Sequence, residues 1–374
     1  MKRVVIVSNT GWYLFNFRFE LIKALANKYD ITLIFPFDEF TEPLLNIGCK
    51  VINWRLKRNS INPIVEISSL IHLIYLFRKI KPELSHHFTI KSCLYGTISG
   101  RLSGVRKIIN SITGLGHVFL AKKVNSFFYK LIIIPIYRLV FKQENVYLIF
   151  QNHEDRKCFL NLKIVTNNKS FLIRGSGVDI DFYKRRNVLE KIDTDQIIKI
   201  LFPARIIREK GILELISACQ SIRRQNIDLR IFIPSDANYY NRSALTKKQM
   251  QGLREKNWIE FLGHVKDVKS LYEKVHMVIL PSWREGLSMS LLEASSMECS
   301  IITTNVPGCN DIVNHGISGL LVPKMDPESI ELAIKLLINN SDLVKNFGKN
   351  ARTNTIKNFN SQIILKQTLC IYES

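Results

Sequence analysis

Residues Pro281–Val313 have the sequence PSWREGLSMSLLEASSMECSIITTNVPGCNDIV, and they indicate the architecture of the chain. The preceding run, Val275–Pro281, is apolar and rich in β-branched residues, which is typical of a buried parallel strand. From Ser288 to Met297 the apolar residues recur at helical spacing. A strand that passes through a glycine-containing turn into a helix directs free backbone N–H groups at the carboxyl edge of a sheet. Because α/β proteins bind diphosphates at this edge, the stretch predicts a site for a nucleotide diphosphate.

Two carboxylates flank this turn, Glu285 and Glu293. The turn and a helical segment separate them, so they cannot act together as one acid/base pair. Gly286, Leu287 and Ser288 are expected to supply the N–H groups of the turn, and Gly286 allows a ligand to approach the backbone closely. The alternative is that both carboxylates lie on the surface without a role in binding.

Strand and helix patterns alternate along the whole chain in two series, which predicts two parallel sheets built from βαβ units. The first series has strands at 3–8, 31–35, 50–52, 106–110 and 146–151, with helices at 17–28, 63–80, 93–103 and 124–141. The second series has strands at 198–203, 229–234, 259–262, 277–280 and 300–303, with helices at 211–224, 243–255, 268–273, 287–297 and 327–339. The polar stretch 184–196 is the expected connection, and 361–373 is a final helix. A length of 374 residues suits two domains.

Five segments, in the expected order, carry a resemblance to a known family. They are NFRFELIKAL (16–25), SITGLGHVF (111–119), RGSGVDIDFY (174–183), FPARIIREKG (202–211), and Glu285-x7-Glu293 followed by NVPGCNDIV (305–313). Together they resemble the family 4 retaining glycosyltransferases of the GT-B fold, in the branch that includes capsule, O-antigen and lipid-linked glycan assembly transferases.

The resemblance implies an α/β fold with two Rossmann-like domains that face each other across a cleft. The first domain, on the acceptor side, would comprise residues 1–175 together with a returning C-terminal helix at 357–374. The second domain, which binds the nucleotide-sugar donor, would comprise residues 176–356.

The resemblance also implies roles for two cations and two carboxylates of the second domain. Arg205 and Lys210 would stabilise the leaving diphosphate as charge-assisted hydrogen-bond donors. Arg208 is a nearby alternative that spacing alone does not exclude. Glu285 would lie near the donor sugar, and Glu293 would accept hydrogen bonds from both ribose hydroxyls. Glu293 would then be ionised and partly buried, which is expensive unless ligand or backbone donors satisfy it.

The other assignments come from loops of both domains. In the second domain, the backbone of Gly263, His264 and Val265 is expected to contact the base, as the resemblance implies. In the first domain, His117 follows a Gly-Leu-Gly loop and would hydrogen-bond the donor sugar or diphosphate, a structural histidine being the alternative.

The acceptor side of the first domain has two assigned residues. Asn16 and Arg18 are placed on the first strand-to-helix connection, where an acceptor phosphate could dock.

We expect neither a metal ion nor another cofactor. Two Asp-x-Asp patterns occur, Asp179-Ile180-Asp181 and Asp193-Thr194-Asp195, but neither follows a strong strand within a βα unit. Arg205 and Lys210 offer fixed positive charge in place of a metal ion. The seven cysteines are scattered without a Cys-x-x-Cys pair, which argues against a structural zinc site or a disulfide framework and indicates a reducing compartment.

The net charge of +21 is distributed unevenly. Residues 1–175 contain 26 Lys/Arg and 10 Asp/Glu, whereas residues 176–374 contain 27 and 22. This asymmetry predicts an anionic partner for the first half, unless it reflects only the general abundance of lysine. Interleaved aromatic and basic residues typical of a nucleic-acid module are missing, so we expect no nucleic acid as partner.

The segment 124–142, VNSFFYKLIIIPIYRLVFK, combines apolar and basic residues. It is interrupted too often for a spanning helix, and it is either an interfacial membrane segment or an ordinary core helix with cations facing solvent. The apolar run Val4–Val7 is too short for the core of a signal peptide. We therefore expect a cytoplasmic protein that attaches peripherally to an anionic inner membrane face.

The resemblance and these residues predict a metal-independent, retaining transfer from a UDP-sugar, either a UDP-N-acetylhexosamine or a UDP-hexose. The acceptor would be a lipid-linked saccharide in the biosynthesis of a capsule, O-antigen or exopolysaccharide. A UDP-sugar epimerase on the same fold and a non-catalytic basic membrane-binding protein are the alternatives. A dehydrogenase would require Gly-x-Gly-x-x-Gly after the first strand, and Ser8–Gly11 does not supply it.

Overall fold

The structure is a computed structural model that describes residues 1–58, 60, 62–115, 129–186, 197–236 and 243–373. It divides into two compact units, the first formed by Met1–Ser176 with Gln367–Ser374 and the second by Gly177–Lys366. In this division residues 357–366 group with the second unit, whereas the sequence placed them with the first. Two Rossmann-like halves, as the sequence predicted, are confirmed by a parallel sheet in each unit.

The sheet of the first unit has the strand order β3-β2-β1-β4-β5-β6-β7, and every pairing is parallel. The strands are β1 (Arg3–Val7), β2 (Asp30–Phe35), β3 (Lys50–Asn53), β4 (Leu84–Phe88), β5 (Lys107–Ile112), β6 (Val146–Phe150) and β7 (Ser170–Leu172). Strands β4 and β7 were not predicted, β4 because it contains two adjacent histidines. The two histidines are buried. His86 Nδ1 lies 2.7 Å from the Tyr372 hydroxyl, and His87 Nδ1 lies 2.8 Å from Asn110 Oδ1.

Helices cover the connections of the first sheet. They are α1 (Gly11–Ala26), α2 (Thr41–Leu45), α3 (Pro63–Ile80), α4 (Ile90–Leu102), α5 (Ile134–Phe141) and α6 (His153–Asn161), with a π-helical turn at Tyr129–Ile133 before α5. Helix α1 begins six residues earlier than predicted because the Thr10 side chain accepts a hydrogen bond from the N–H of Tyr13 and caps it. Asn16 and Arg18 therefore lie within α1, and their predicted position on the preceding connection was wrong.

The sheet of the second unit has the order β10-β9-β8-β11-β12-β13, again with parallel pairing throughout. Its strands are β8 (Ile198–Leu201), β9 (Leu229–Ile233), β10 (Ile259–Phe261), β11 (Met277–Leu280), β12 (Ser300–Thr304) and β13 (Leu320–Val322). All four residues of β11 are buried, which fits the apolar run that the sequence assigned to a central strand.

The helices of the second unit follow the same alternation. They are α7 (Ile212–Arg223), α8 (Lys247–Arg254), α9 (Val268–Lys274), α10 (Met289–Ser296), α11 (Pro327–Ile338), α12 (Ser341–Asn358) and α13 (Ser361–Glu373), the last of which ends in the first unit. Among the described residues, no helix is both long enough and apolar enough to cross a membrane.

The order of the second sheet determines where a ligand can bind. Strand β8 lies between β9 and β11, so the connections that leave the carboxyl ends of β8 and β11 diverge. Open α/β sheets bind ligands at such a switch point. The segments that the sequence singled out, Arg205–Lys210 and Pro281–Ser288, follow these two strands directly.

Candidate functional site

Glu285 lies in the turn between β11 and α10, and its carboxylate is committed to two partners. Its Oε1 accepts a hydrogen bond of 2.6 Å from the Ser282 hydroxyl and forms an ion pair with Lys210 Nζ. The side chains of Glu285 and Lys210 are only 12% and 19% exposed. A charge at this depth is costly without a partner, and each side chain supplies the opposite charge for the other.

The backbone of the same turn is held by the segment that follows β12. The N–H groups of Glu285 and Ser288 donate to the carbonyls of Pro307 and Gly308, at 3.1 and 3.3 Å. Gly308 has φ +79°, and a Cβ there would lie 2.6 Å from the Glu285 carbonyl oxygen. The Val-Pro-Gly sequence therefore supports the position of Glu285.

This contact corrects one prediction. The N–H of Ser288 is engaged with Gly308 and is not a free donor of the turn. Leu287 and Ser288 are buried, and Leu287 belongs to the hydrophobic core of the second unit. Gly286, which is partly exposed, keeps the position expected for close approach of a ligand to the backbone.

Lys210 reaches Glu285 because a glycine follows it. Residues Arg208–Lys210 form a 3₁₀ turn, and Gly211, at φ +77°, is the N-cap residue of α7. A Cβ on Gly211 would lie 2.1 Å from the Pro281 carbonyl oxygen, so only glycine allows the two loops to approach this closely. A hydrogen bond of 2.9 Å from the Trp283 N–H to the Glu209 carbonyl joins the same two loops.

The two arginines of this loop differ in their engagement. Arg208 Nη2 donates to Gln249 Oε1 at 3.1 Å. Arg205 is exposed, and its guanidinium makes no hydrogen bond or ion pair with the described part of the chain. Arg205 is thus the cation of this loop that is available to an anionic ligand.

Glu293 lies on α10 and has partners that sequence reasoning missed. Its Oε2 accepts a hydrogen bond of 3.0 Å from the Tyr272 hydroxyl, and the Tyr183 hydroxyl also bonds to the carboxylate. Burial raises the pKa of Glu293 to about 7, and the two tyrosine hydrogen bonds limit the rise. Near neutral pH this carboxyl is therefore poised between its protonated and ionised forms. Tyr183 belongs to the segment 174–183, which carried part of the family resemblance. That resemblance is the one sequence signal that pointed towards Tyr183.

Gly263, His264 and Val265 lie on the connection from β10 to α9. Gly263 has φ +65°, a conformation that L side chains rarely adopt, and its Cβ position faces the Asp236 carboxylate at 3.5 Å. His264 is exposed and Val265 is half-buried. Their backbone follows the carboxyl end of a strand, as a contact to a base would require.

Arg18 has a structural role in the first unit. Its Nη1 donates to the Gly175 carbonyl at 3.0 Å, and its Nη2 donates to the Tyr13 hydroxyl at 3.0 Å. The guanidinium also lies 4.8 Å from the centre of the Phe88 ring, and the residue is buried. Asn16 is bonded locally, from Nδ2 to the Trp12 carbonyl. Arg18 is therefore not the free phosphate-binding cation that the sequence suggested.

Some predictions fall outside the described residues. They are His117, residues 124–128 of the predicted helix 124–141, the pattern Asp193–Asp195, and most of the expected connection 184–196. The other Asp-x-Asp pattern forms a local turn, in which Asp179 Oδ1 accepts hydrogen bonds from the N–H groups of Asp181 and Phe182.

Comparison with known proteins places these features in a family. The model of glycosyl transferases group 1 matches residues 184–354, and the model of glycosyl transferase 4-like proteins matches residues 3–152. The chain is 23% identical over 99% of its length to the N,N'-diacetylbacillosaminyl-diphospho-undecaprenol alpha-1,3-N-acetylgalactosaminyltransferase of Campylobacter jejuni, 98% of which is covered. It is 28% identical over 83% of its length to the capsular polysaccharide biosynthesis glycosyltransferase CapM of Staphylococcus aureus, with 81% covered.

Solved structures share the fold over the whole chain. A glycosyltransferase from Rickettsia africae has a TM-score of 0.75 at 19% identity, covering 100% of this chain and 98% of that one. Anabaena Alr3699/HepE, solved in complex with UDP and glucose, has a TM-score of 0.79 at 15% identity, with both chains fully covered. The fold and the matches define a glycosyltransferase of the GT-B fold. The chain contains a glycosyl transferase 4-like first domain and a glycosyl transferases group 1 second domain.

Proposed function

We propose that the second unit binds a UDP-sugar and that the enzyme transfers the sugar, with retention and without a metal ion, to a lipid-linked saccharide. The observation that carries this proposal is the Lys210–Glu285 ion pair at the switch point of the sheet, on a loop that also carries Arg205, whose guanidinium has no partner among the described residues. The named activities of the Campylobacter relative and of an Escherichia coli UDP-Gal:alpha-D-GlcNAc-diphosphoundecaprenol alpha-1,3-galactosyltransferase support a lipid-linked acceptor. The latter is 24% identical over 80% of this chain, with 78% of it covered.

Arg205 and Lys210 hold the diphosphate in this proposal. Fixed cations stabilise the charge that develops on a leaving diphosphate, and they do so without reorganisation in the transition state. Lys210 is paired with Glu285 in the free enzyme, so the bound diphosphate shares its ammonium group. Glu285 is then left free to contact the hydroxyls of the donor sugar.

The remaining donor contacts follow from the other loops. Glu293 accepts hydrogen bonds from the ribose hydroxyls in its ionised form, with Tyr272 orienting the carboxylate. The backbone of Gly263–Val265 contacts the base, and Gly286 lies against the diphosphate or the sugar. His117 hydrogen-bonds the sugar or the diphosphate, and Asn16 belongs to the acceptor side, where Arg18 positions α1 rather than binding the acceptor.

Retention is proposed to follow a front-face route. The bond between the anomeric carbon and the diphosphate oxygen breaks, and the acceptor oxygen forms a new bond on the same face. The departing phosphate oxygen takes the proton of the acceptor hydroxyl. This route needs no protein nucleophile, and the Glu285 carboxylate is already engaged by Lys210 and Ser282.

We place the enzyme at the cytoplasmic face of the membrane, in capsule, O-antigen or exopolysaccharide synthesis. The basic first half and the exposed side chains of Leu131, Ile132, Ile136 and Leu139, in and before α5, support peripheral attachment through the segment 124–142. The opposite face of α5 is buried, at Tyr137, Val140 and Phe141. The described residues 131–142 of this segment thus combine a core face with an apolar outer face.

The test is a donor panel with EDTA present. Calorimetry with UDP, UDP-N-acetylhexosamines and UDP-hexoses should give metal-independent binding, and the tightest donor should be transferred to a polyprenyl-diphosphate-linked saccharide. An epimerase would convert the UDP-sugar without an acceptor. A non-catalytic basic protein would show no dependence on Glu285 or Glu293.

A further inference from the structure

Trp12, the second residue of α1, has a large aromatic ring at the surface of the first unit. The residue is 45% exposed, whereas Trp54 and Trp258 are buried and Trp283 is half-buried. An exposed tryptophan forgoes the free energy that burial of its ring would supply. Its surroundings therefore decide whether the ring is an ordinary surface residue or part of a binding site.

The beginning of α1 lies at the carboxyl edge of the first sheet. Strand β1 stands between β2 and β4 and pairs with both in parallel. The chain leaves β1 towards β2 and leaves β4 towards β5, so the connections diverge between β1 and β4. Open α/β sheets bind ligands at such a switch point. Because α1 follows β1, Trp12 borders the position where a ligand of the first unit is expected.

Asp38, on the loop after β2, fixes the backbone that carries the indole ring. Its Oδ2 accepts hydrogen bonds from the N–H groups of Gly11 and Trp12, at 2.8 and 3.1 Å. A Cβ on Gly11 would lie 2.6 Å from the Phe35 ring and would also meet Asp38 Oδ1. The glycine thus allows the carboxylate to reach the two N–H groups.

Two further contacts hold the tryptophan itself. The Phe17 ring meets the indole ring edge to face, with 5.2 Å between the ring centres. Asn16 Nδ2 donates to the Trp12 carbonyl at 2.8 Å. The indole Nε1 makes no hydrogen bond with the described part of the chain. The exposed ring is therefore held in place before a ligand arrives, which lowers the entropy cost of binding.

A carboxylate beside an exposed aromatic ring matches the chemistry of a sugar. A pyranose has C–H groups on its faces and hydroxyl groups at its rim, so it binds to an apolar surface together with hydrogen-bond acceptors. A carboxylate has about four lone-pair sites. Among the described residues, three N–H groups donate to Asp38, those of Gly11, Trp12 and Phe40. One site remains for a hydroxyl group, whereas a lipid chain would gain nothing from a carboxylate here.

We propose that Trp12 stacks on a sugar ring of the acceptor, and that Asp38 positions Trp12 and accepts a hydrogen bond from a hydroxyl group of that ring. The inference rests on the proposed function, because the saccharide acceptor supplies the ring. Asn16, on the acceptor side in that function, acts through the Trp12 carbonyl and is a positioning residue. The donor residues belong to the second unit, so changes at Trp12 should alter acceptor affinity and leave UDP affinity unchanged.

The test compares two soluble probes, farnesyl diphosphate that carries N-acetylglucosamine and farnesyl diphosphate alone. Stacking uses C–H groups that pyranose sugars share, so N-acetylglucosamine is a sufficient probe. The wild type should bind the sugar-bearing probe more tightly, and Trp12→Ala should weaken this binding about five- to tenfold. The affinity for farnesyl diphosphate alone should not change. Trp12→Phe keeps an aromatic face and should lose less than about threefold.

Tryptophan fluorescence reports contact with the ring directly. The sugar-bearing probe should change the emission of the wild type, and this change should be absent from Trp12→Phe, because Trp54 and Trp258 are buried. A purely structural role of Trp12 would not produce this difference. If Trp12→Ala failed to fold, the emission of Trp12→Phe would decide the question.

The matched control is Tyr75→Ala, since Tyr75 is another exposed aromatic residue of the first unit, at 59%. This variant should bind both probes like the wild type. Unchanged affinity of Trp12→Ala for the sugar-bearing probe, an equal loss for both probes, or an equal loss in the control would overturn the proposal. A wild type that does not distinguish the two probes would overturn it as well.

The failure of the sugar subsite and the failure of the proposed function give different results. If the wild type bound the sugar-bearing probe through Trp12 but transferred no sugar from any UDP-sugar, the proposed function would fail and the subsite would stand. If transfer occurred and Trp12→Ala kept the KM of the wild type for the acceptor, the subsite would fail and the proposed function would stand.

Discussion

At the scale of single residues, the proposed donor site depends on Lys210 and Glu285. Both side chains are largely buried, and they form an ion pair with each other. A buried ion pair contributes little net stability, but removing one partner leaves an uncompensated charge. The pair is therefore better explained as a preformed diphosphate site than as a device for stability.

Replacing Lys210 by alanine should weaken UDP binding roughly 10- to 100-fold, since a charge-assisted hydrogen bond contributes about 1.5–3 kcal/mol. The measurement is calorimetric titration with EDTA present. Lys335→Ala is the control, because Lys335 pairs with Glu331 within α11 and should not affect UDP affinity. Unchanged affinity in Lys210→Ala would remove this lysine from the donor site.

Glu293 should make UDP binding depend on pH. Its pKa of about 7 in the free protein means that the ionised carboxylate, which accepts hydrogen bonds, is lost as the pH falls below 7. If the ribose hydroxyls donate to it, affinity should be constant above pH 7 and should fall below it, towards about tenfold per pH unit. UDP binding near pH 7 should also release protons, as titrations in buffers of different ionisation enthalpy would detect.

The Glu293→Gln variant supplies the control and a sign check. When folding raises the pKa of a carboxyl, the protein loses stability as the pH rises from the pKa of the unfolded state to the pKa of the folded state. The variant should therefore be more stable than the wild type at pH 8, with no such gain below about pH 4. Its UDP affinity should be lower and nearly independent of pH. A wild-type affinity that does not change between pH 5.5 and 8.5 would contradict the role of Glu293.

The local pattern around residues 281–293 was enough to predict where the two carboxylates stand along the chain. It did not predict their partners, because Tyr183 and Lys210 are far from Glu293 and Glu285 in sequence and meet them only through the fold. Arg18 shows the opposite error. A cation near the first strand suggested a phosphate site, but its hydrogen bonds to Gly175 and Tyr13 depend on tertiary contacts that no local signal reports.

At the scale of elements, two close backbone contacts bring the loops of the donor site together. Gly211 lets the beginning of α7 approach Pro281, and Gly308 lets the segment after β12 approach Glu285. Both glycines have positive φ, so a side chain at either position meets steric strain as well as a clash. The glycines thus help to position Lys210 and Glu285.

Gly211→Ala should lower the free energy of unfolding by about 2 kcal/mol or more and should weaken UDP binding, because the loop that carries Lys210 must move. Gly252→Ala, in α8 with no atom near its Cβ position, should be neutral or stabilising by about 0.5–1 kcal/mol. Thermal unfolding and calorimetry measure both effects. Equal stability of the two variants would show that the close contact at Gly211 is not needed.

Hydrophobic periodicity predicted most of the strands and missed β4, β7 and β13. Strands β7 and β13 are edge strands of three residues each, which leaves little pattern to detect. Strand β4 contains buried histidines, and α12 contains so many lysines and asparagines that its buried face is inconspicuous. The helix α12 nevertheless packs closely, since a Cβ on Gly348 would lie 2.1 Å from the Glu298 carbonyl oxygen.

At the scale of the whole molecule, net positive charge is concentrated in the first half of the chain, whereas the proposed donor residues belong to the second unit. This division assigns the proposed membrane contact and the nucleotide to different units. The general fold followed from alternating strands and helices, and the family from five ordered segments. The identity of the acceptor did not follow from the sequence, because the loops proposed to bind it have no distinctive sequence pattern.

The most direct measurement is transfer from the tightest-binding UDP-sugar to a polyprenyl-diphosphate-linked saccharide, with excess EDTA and NMR analysis of the new linkage. The account predicts a product with the anomeric configuration of the donor, formed at the same rate with and without EDTA. Glu285→Gln should slow this transfer strongly, whereas Lys335→Ala should not. An inverted linkage, or activity that EDTA abolishes and a divalent metal restores, would contradict the account.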